Sequence, residues 1–283
     1  MNCLFVRHLT NLDFTYLDSE RGLVGETWIV DLELTGELDA QGMVFDFGQV
    51  KKVIRQAVEG TLDHRLVVPE AMQGLEWSEH SGRVHLSAHS PRGFLAALEL
   101  PVQAVVRVPG ERLDRTALEH WIAAQIRPVL PENARDLRLR LYPEPIQGAS
   151  YHYSHGLRKH QGPCQRIAHG HRSRIEIEIN GQRSQLLEYQ WAKRWKDIYL
   201  VSRDDIAGRI ENAGITCLDI RYTAQEGDYR LILPATRAYV LPTDTTVELI
   251  ADHIADTLHT QHPDARIRVR AYEGVNKGAI AER

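Results

Sequence analysis

Between Tyr151 and Ile175 the chain reads YHYSHGLRKHQGPCQRIAHGHRSRI, which gathers five of its fourteen histidines and one of its three cysteines. Imidazole and thiolate are the side chains that bind a borderline metal and move protons near neutral pH. His169 and His171 stand two apart, so on a strand they project to one face. His155 lies fourteen residues upstream of His169, a separation that lets an adjacent hairpin strand return it to the same point. Three neutral nitrogen ligands leave a tetrahedral zinc one open position, the arrangement of a catalytic site. The competing reading is a solvated basic patch, because arginine and lysine are interspersed through the same run.

The elements that must position these residues are written in the hydrophobic pattern. After His171, Ile175, Ile177 and Ile179 alternate with Glu176, Glu178 and Asn180 up to Gly181, the period of a half-buried antiparallel strand. The first half repeats this with Val30, Leu32 and Leu34 against Asp31, Glu33 and Thr35, ending at Gly36. Upstream of each, a short strand carries one histidine, His8 in FVRHL and His155 in YSHGL. Asp46 is placed to cap a helix with Phe47, Val50, Ile54 and Val58 on its apolar face; Glu188, Tyr189 and Trp195 mark a reduced counterpart. A later helix begins near Thr116 or Thr246, with Leu118, Ile122 and Ile126 or Val247, Ile250 and Ile254 turned inward. LRLRLYPE and RIRVRAYEG then close the halves as strands, each with a Tyr before a Glu, Glu144 or Glu273.

The order strands, helix, strands, helix, strand thus occurs twice. Antiparallel sheets with helices on one face make an α+β architecture of two modules, residues 1–146 and 147–283. The junction YPEPIQGAS is too short for a free linker, so the modules are expected to pack together.

The halves differ where chemistry would reside. Val24 and Glu26 stand where the second half has His169 and His171, leaving only His8 of a triad. Conversely the first half reads Leu62-Asp63-His64-Arg65, while the second reads Asp197-Ile198-Tyr199. A carboxylate beside an imidazole is a proton-transfer unit, and Ile198 cannot move a proton. Alone, Asp63-His64 reads as a surface loop pair. Complementary losses point instead to one composite site between unlike copies.

Bulk properties exclude several classes. Lys and Arg total 34 against 38 Asp and Glu, with a net charge of -4, so nothing calls for nucleic acid. No run reaches the roughly eighteen apolar residues that span a bilayer. Three scattered cysteines, Cys3, Cys164 and Cys217, argue against a disulfide framework. The start MNCLFVRHLT lacks a basic leader, and a cytoplasmic location is expected.

SHGL with His155, CQRIAHGH with Cys164, His169 and His171, GMVFDF at Gly42 to Phe47, and LDHRL at Leu62 to Leu66 carry a resemblance along nearly the whole chain. It resembles the 6-pyruvoyl-tetrahydropterin synthase / 6-carboxytetrahydropterin synthase family of the tunnelling fold. The resemblance implies two tandem modules, each an antiparallel four-stranded sheet with two helices on one face, assembling into closed barrels in a homo-oligomer. It also implies Zn2+ on His155, His169 and His171, Cys164 as base, and Asp63 with His64 as its partner. Glu273 would anchor the pterin ring, with Glu248 as a second carboxylate of the pocket. Arg166 is expected beside the thiol, and Arg158, Lys159, Arg172 and Arg174 are candidates for holding a triphosphate. Two departures stand out: the spacing from Cys164 to His169 lies between known forms, and typical members are single modules assembled as hexamers.

The activity so implied is a zinc lyase converting 7,8-dihydroneopterin triphosphate to 6-carboxytetrahydropterin in the queuosine pathway. Alternatives are triphosphate elimination to 6-pyruvoyl-tetrahydropterin, a GTP-opening hydrolase, or a pterin-binding assembly protein without turnover. The residues leave open whether the composite site forms within one chain or between chains.

Overall fold

The alternating runs become two long hairpins, each backed by a pair of helices. A computed structural model describes residues 1–38, 40–212 and 214–283; the side chains of Phe47 and Gln49 lie outside the described set. The first half contains β1 (Asn2–Asp18), β2 (Gly22–Gly36), α1 (Phe47–Leu62), β3 (Leu66–Pro69), β4 (Leu75–His80), β5 (Arg83–Ser90) and β6 (Gly93–Pro101). It ends with β7 (Val105–Val108), α2 (Arg115–Ile126) and β8 (Ala134–Pro143). The second half repeats the order with β9 (Ser150–His155), β10 (His169–Ile179), β11 (Gln182–Arg183), α3 (Gln185–Arg194), β12 (Ile198–Ser202), β13 (Ile206–Asn212) and β14 (Ile215–Ala224). It continues with β15 (Gly227–Pro234), β16 (Ala238–Leu241), α4 (Val247–Gln261), β17 (Ile267–Tyr272) and β18 (Gly278–Glu282).

Capping and periodicity explain the helices. The Asp46 carboxylate accepts from Gly48 N at 3.0 Å, and Ile54 and Val58 are fully buried one turn apart. Phe47, expected on the same apolar face, has its side chain outside the described residues. Asp114 caps α2 through Ala117 N at 2.7 Å, and Leu118, Ile122 and Ile126 turn inward. Thr246 caps α4, whose Ile250 and Ile254 are buried. Among the described residues no helix is long and apolar enough to cross a membrane.

The sheets are larger than four strands. The first runs β7-β3-β1-β2-β8, and the second β16-β12-β9-β10-β17-β18 with β11 beside β10. Their added strands β3, β7, β12 and β16 pair in parallel, so these sheets are mixed rather than antiparallel. The extra strands escape a periodicity search because LVVP and IYLVS are short continuous buried runs without alternation. A third sheet, β13-β14-β15-β6-β5-β4, fuses a meander from each half through the antiparallel pair β15 and β6. Joining them removes two exposed strand edges, and an apolar cluster beneath it draws from both halves, including Leu17, Leu98, Ile167 and Leu231.

The two hairpins meet at glycines. Gly25 pairs with Thr15, and Gly170 with Ser154, at equivalent register positions. A Cβ on Gly25 would stand 1.8 Å from Tyr153 O, and one on Gly170 would stand 2.7 Å from Gly25 Cα. Thr15 Oγ1 donates to Ser154 Oγ at 2.8 Å across the same contact. Gly25→Ala is therefore expected to cost about 3 kcal/mol or more in urea unfolding. Gly60, in α1 with nothing within 4 Å of a Cβ, serves as the contrast. Gly60→Ala should be neutral or stabilising by up to about 1 kcal/mol; equal losses at the two sites would contradict the packing argument.

Candidate metal and proton-transfer site

His155 ends β9 directly opposite His169 at the start of β10, and His171 follows on the same face. All three are buried, and one ligand nitrogen from each lies within 4.8 Å of the others. The His155 ring sits 4.3 Å from that of His169 and 5.4 Å from that of His171, centroid to centroid. His155 Nδ1 donates to Thr245 O at 3.0 Å, and His169 Nδ1 donates to Arg166 O at 3.0 Å. These bonds fix the tautomer and leave the Nε2 lone pairs for a metal. Burial first, then neighbouring imidazoles, hold His155 and His169 well below the usual imidazole range, so both are neutral. His155 Nε2 is buried without a hydrogen-bond partner among the described residues. Neutral imidazoles with an orphaned buried nitrogen fit a divalent metal of borderline softness.

Asp63 and His64 reach the same point from the first half. His64 follows α1 at φ 54, the left-handed position that ends a helix, and its N–H donates to Asp13 O at 2.7 Å. The Asp63 carboxylate accepts from His64 Nδ1 at 2.8 Å, which leaves Nε2 at the far edge of the ring free of Asp63. That ring stands 5.1 Å from the His169 ring. Burial disfavours the imidazolium, but hydrogen bonds to Asp63 and Cys164, and their charges, raise its pKa above the usual imidazole range. Cys164 is half-buried in a turn at 162–165, beside His64, and its carbonyl accepts from Leu157 N at 2.9 Å. One chain therefore brings together His155, His169, His171, Cys164, Asp63 and His64.

Of the other expected residues, Glu273 borders the cluster and the rest lie apart from it or are paired elsewhere. Glu273 Oε1 stands 3.8 Å from His171 Nε2, with Lys277 Nζ 3.9 Å from its second oxygen. Glu248 is exposed in the first turn of α4, where a carboxylate suits the helix dipole, and makes no hydrogen bond or ion pair with the cluster. Arg166, expected beside the thiol, forms a bidentate pair with Glu226 at 2.9 and 2.7 Å, which ties the cysteine turn to the third sheet. Arg158 faces Asp205, Lys159 faces Asp244, Arg172 donates to Glu144 O, and Arg174 stacks 4.2 Å from the Tyr272 ring centroid. Sequence reading missed Asp13, Thr245 and Lys277. The signal for Asp13 was a carboxylate inside the strand LDFTYL, since a buried acid needs partners.

The 6-pyruvoyl tetrahydropterin synthase family model matches residues 8–152 and again 146–283. The chain belongs to this family of pterin-processing enzymes, as two tandem copies. Two Pyrococcus proteins named "Putative 6-carboxy-5,6,7,8-tetrahydropterin synthase" align with 134 residues, 47% of this chain and 76% of each relative. The one from Pyrococcus abyssi is 28% identical and the one from Pyrococcus horikoshii 25%. Among solved structures, 6-pyruvoyl tetrahydropterin synthases from Plasmodium vivax and Plasmodium falciparum are 18% and 15% identical, with TM-scores of 0.42 and 0.41. Each alignment covers 52% of this chain and 93% of the other.

Strand register shows what the first 6-pyruvoyl tetrahydropterin synthase-type copy holds at the equivalent place. Matching Thr15 to Ser154 sets Tyr16 against His155, Val24 against His169 and Glu26 against His171. His8 is not the counterpart of His155. It lies eight residues earlier, exposed at a bulge of the long strand β1, with Nε2 on Asn11. The counterpart of His64 is Asp197 rather than Ile198, since both adopt positive φ before a parallel strand. Pro143, not Glu144, occupies the register position of Glu273. Arg21 fills this second place, bonded to both Asp197 oxygens and to Tyr16 Oη.

Glu26 yields a pH test. Burial pushes its carboxyl up to about 7, only partly offset by a 3.0 Å bond from Thr27 N and by Arg172 and Arg21. The folded chain keeps a proton that the unfolded chain releases near 4.5, so this group's contribution to stability falls as pH rises between 4.5 and about 7. Glu26→Gln should remove that fall. Thermal unfolding at pH 8 should show the variant more stable than wild type, by at most ~3 kcal/mol, with the advantage gone near pH 4.5; an unchanged difference across pH would contradict the assignment.

Proposed function

We propose that this chain is a zinc-dependent lyase converting 7,8-dihydroneopterin triphosphate to 6-carboxytetrahydropterin at one composite site per chain. The observation that carries the reading is the His64 imidazole of the first half standing beside Cys164 and His169 of the second. The names of the Pyrococcus relatives favour the 6-carboxy product. In this reading residues 1–146 and 147–283 are modules that divide the work, one supplying Asp63 and His64, the other the metal ligands and the thiol.

His155, His169 and His171 would hold the zinc. When bound, it supplies Lewis acidity toward the hydroxyls of the pterin side chain. Cys164 Sγ takes a carbon-bound proton as thiolate. His64 Nε2 takes or returns the second proton, while Asp63 holds Nδ1–H and stabilises the imidazolium. The Glu273 carboxylate accepts from the paired N–H donors on the amino-pyrimidinone edge of the ring. Triphosphate elimination to 6-pyruvoyl-tetrahydropterin is the second reading, favoured by the family's own name. Edge strands β8 and β18 are available to pair with further copies, which supports closed barrels in a homo-oligomer.

The expected zinc content is one per chain, because Tyr16, Val24 and Glu26 replace the ligands in the first half. Cys164→Ala and His64→Asn should each lower turnover by roughly 10²–10⁴-fold while zinc content stays at one; asparagine is chosen because it tolerates positive φ. Mass spectrometry of the product mixture separates the readings, with 6-carboxytetrahydropterin and acetaldehyde expected. Full turnover by both variants would overturn the proton-transfer assignment.

A further inference from the structure

Each histidine of the cluster has an oxygen behind its Nδ1. For His155 and His169 it is a main-chain carbonyl of the same half, Thr245 O and Arg166 O. For His171 it is a side chain from the other half, Asp13 Oδ1, at 3.2 Å. The approach is short but off the line of a good hydrogen bond, so the contact is electrostatic first. Asp13 is buried and held from two further sides, by Thr27 Oγ1 at 2.6 Å and Lys277 Nζ at 3.3 Å. Its main chain does separate work. Asp13 N donates to Asp63 Oδ1 at 2.8 Å, and Asp13 O accepts from His64 N at 2.7 Å. One residue therefore touches a metal ligand through its carboxylate and both members of the proton-transfer pair through its backbone.

We propose that Asp13 is a positioning residue that sets the tautomer of His171 across the boundary between the halves and fixes the Asp63-His64 pair in register with it. His171 lies between two carboxylates, Asp13 at Nδ1 and Glu273 at Nε2, 3.8 Å away. An imidazole that ligates a metal through one nitrogen keeps an N–H on the other, and the carboxylate that accepts from that N–H decides which nitrogen offers its lone pair. With Asp13 closer, the proton sits on Nδ1 and Nε2 faces the cluster as a ligand. Without Asp13, the proton moves to Nε2 toward Glu273 and occupies the lone pair that a metal needs. The carboxylate also raises the donor strength of the imidazole, as charged partners behind metal-bound histidines do.

This inference rests on the zinc reading above, and its test separates the two. Zinc affinity is measured by chelator competition on the full chain, with far-UV circular dichroism and thermal unfolding recorded for every variant. Asp13→Ala should bind zinc roughly 10–100-fold more weakly. Asp13→Asn, whose amide oxygen still accepts from Nδ1–H, should lose less, and it decides the matter where the alanine variant does not fold. Adding Glu273→Gln to Asp13→Ala should recover part of the loss by removing the competing carboxylate, a recovery that a merely structural role would not give. His64→Asn should keep wild-type affinity. A folded Asp13→Ala chain that binds zinc within twofold of wild type, or an Asp13→Asn chain that does so where the alanine variant does not fold, would overturn the inference alone; a wild-type chain that binds no zinc would overturn the zinc reading and the inference with it.

Discussion

Everything at the site depends on how closely β1 and β2 approach β9 and β10. The backbones come together at Gly25 and Gly170, where no side chain fits. This contact carries Asp13 to His171, His152 to the carbonyl of Gly25 at 2.7 Å, and Thr27 Oγ1 to Arg172 N at 3.2 Å. Packing tolerances in a protein interior are a fraction of an ångström. A composite site built across such a contact inherits that precision, whereas one built on loops alone would not. The fused third sheet and its shared apolar cluster hold the halves at the other end, so the contact is clamped from two directions.

The approximate two-fold relation between the halves creates two equivalent places, and side-chain chemistry makes them unequal. In one, buried imidazoles converge with a thiol and an acid-imidazole pair. In the other, the Arg21–Asp197 ion pair and Tyr16 occupy the space. A buried carboxylate needs a cation to offset its desolvation, and half-buried Arg21 supplies it to Asp197, which stands at the position that His64 holds elsewhere. Buried Glu26 faces half-buried His152 nearby, and desolvation pushes the pKa of that histidine down to about 4. The second place has become structural rather than vacant.

Much of this was legible in the sequence because strand alternation, helix periodicity and capping residues are local signals. The helices at 47–62, 115–126 and 247–261 and the strands at 134–143 and 267–272 follow from those signals. His155, His169 and His171 were legible because hairpin geometry converts their spacing into proximity. What was not legible depends on register. His8 looked like the counterpart of His155 because each is a single histidine on an upstream strand, yet the unbroken register from Thr10 to Asp18 places Tyr16 there instead. The one-residue offset between Ile198 and Asp197 turns on a positive φ that asparagine-like residues and histidine tolerate equally in sequence. Asp13 was overlooked for a different reason: its partners come from the other half, and no local pattern encodes a contact 158 residues away.

The central claim is that one chain supplies both parts of the site. It is tested most directly by mixing two inactive variants, His64→Asn and Cys164→Ala, after joint unfolding and refolding, and assaying turnover of 7,8-dihydroneopterin triphosphate. If the parts come from the same chain, every site in the mixed assembly carries one lesion, and the mixture stays as inactive as its components. If the parts come from different chains, some sites pair an intact His64 with an intact Cys164. Recovered activity in the mixture would contradict the account.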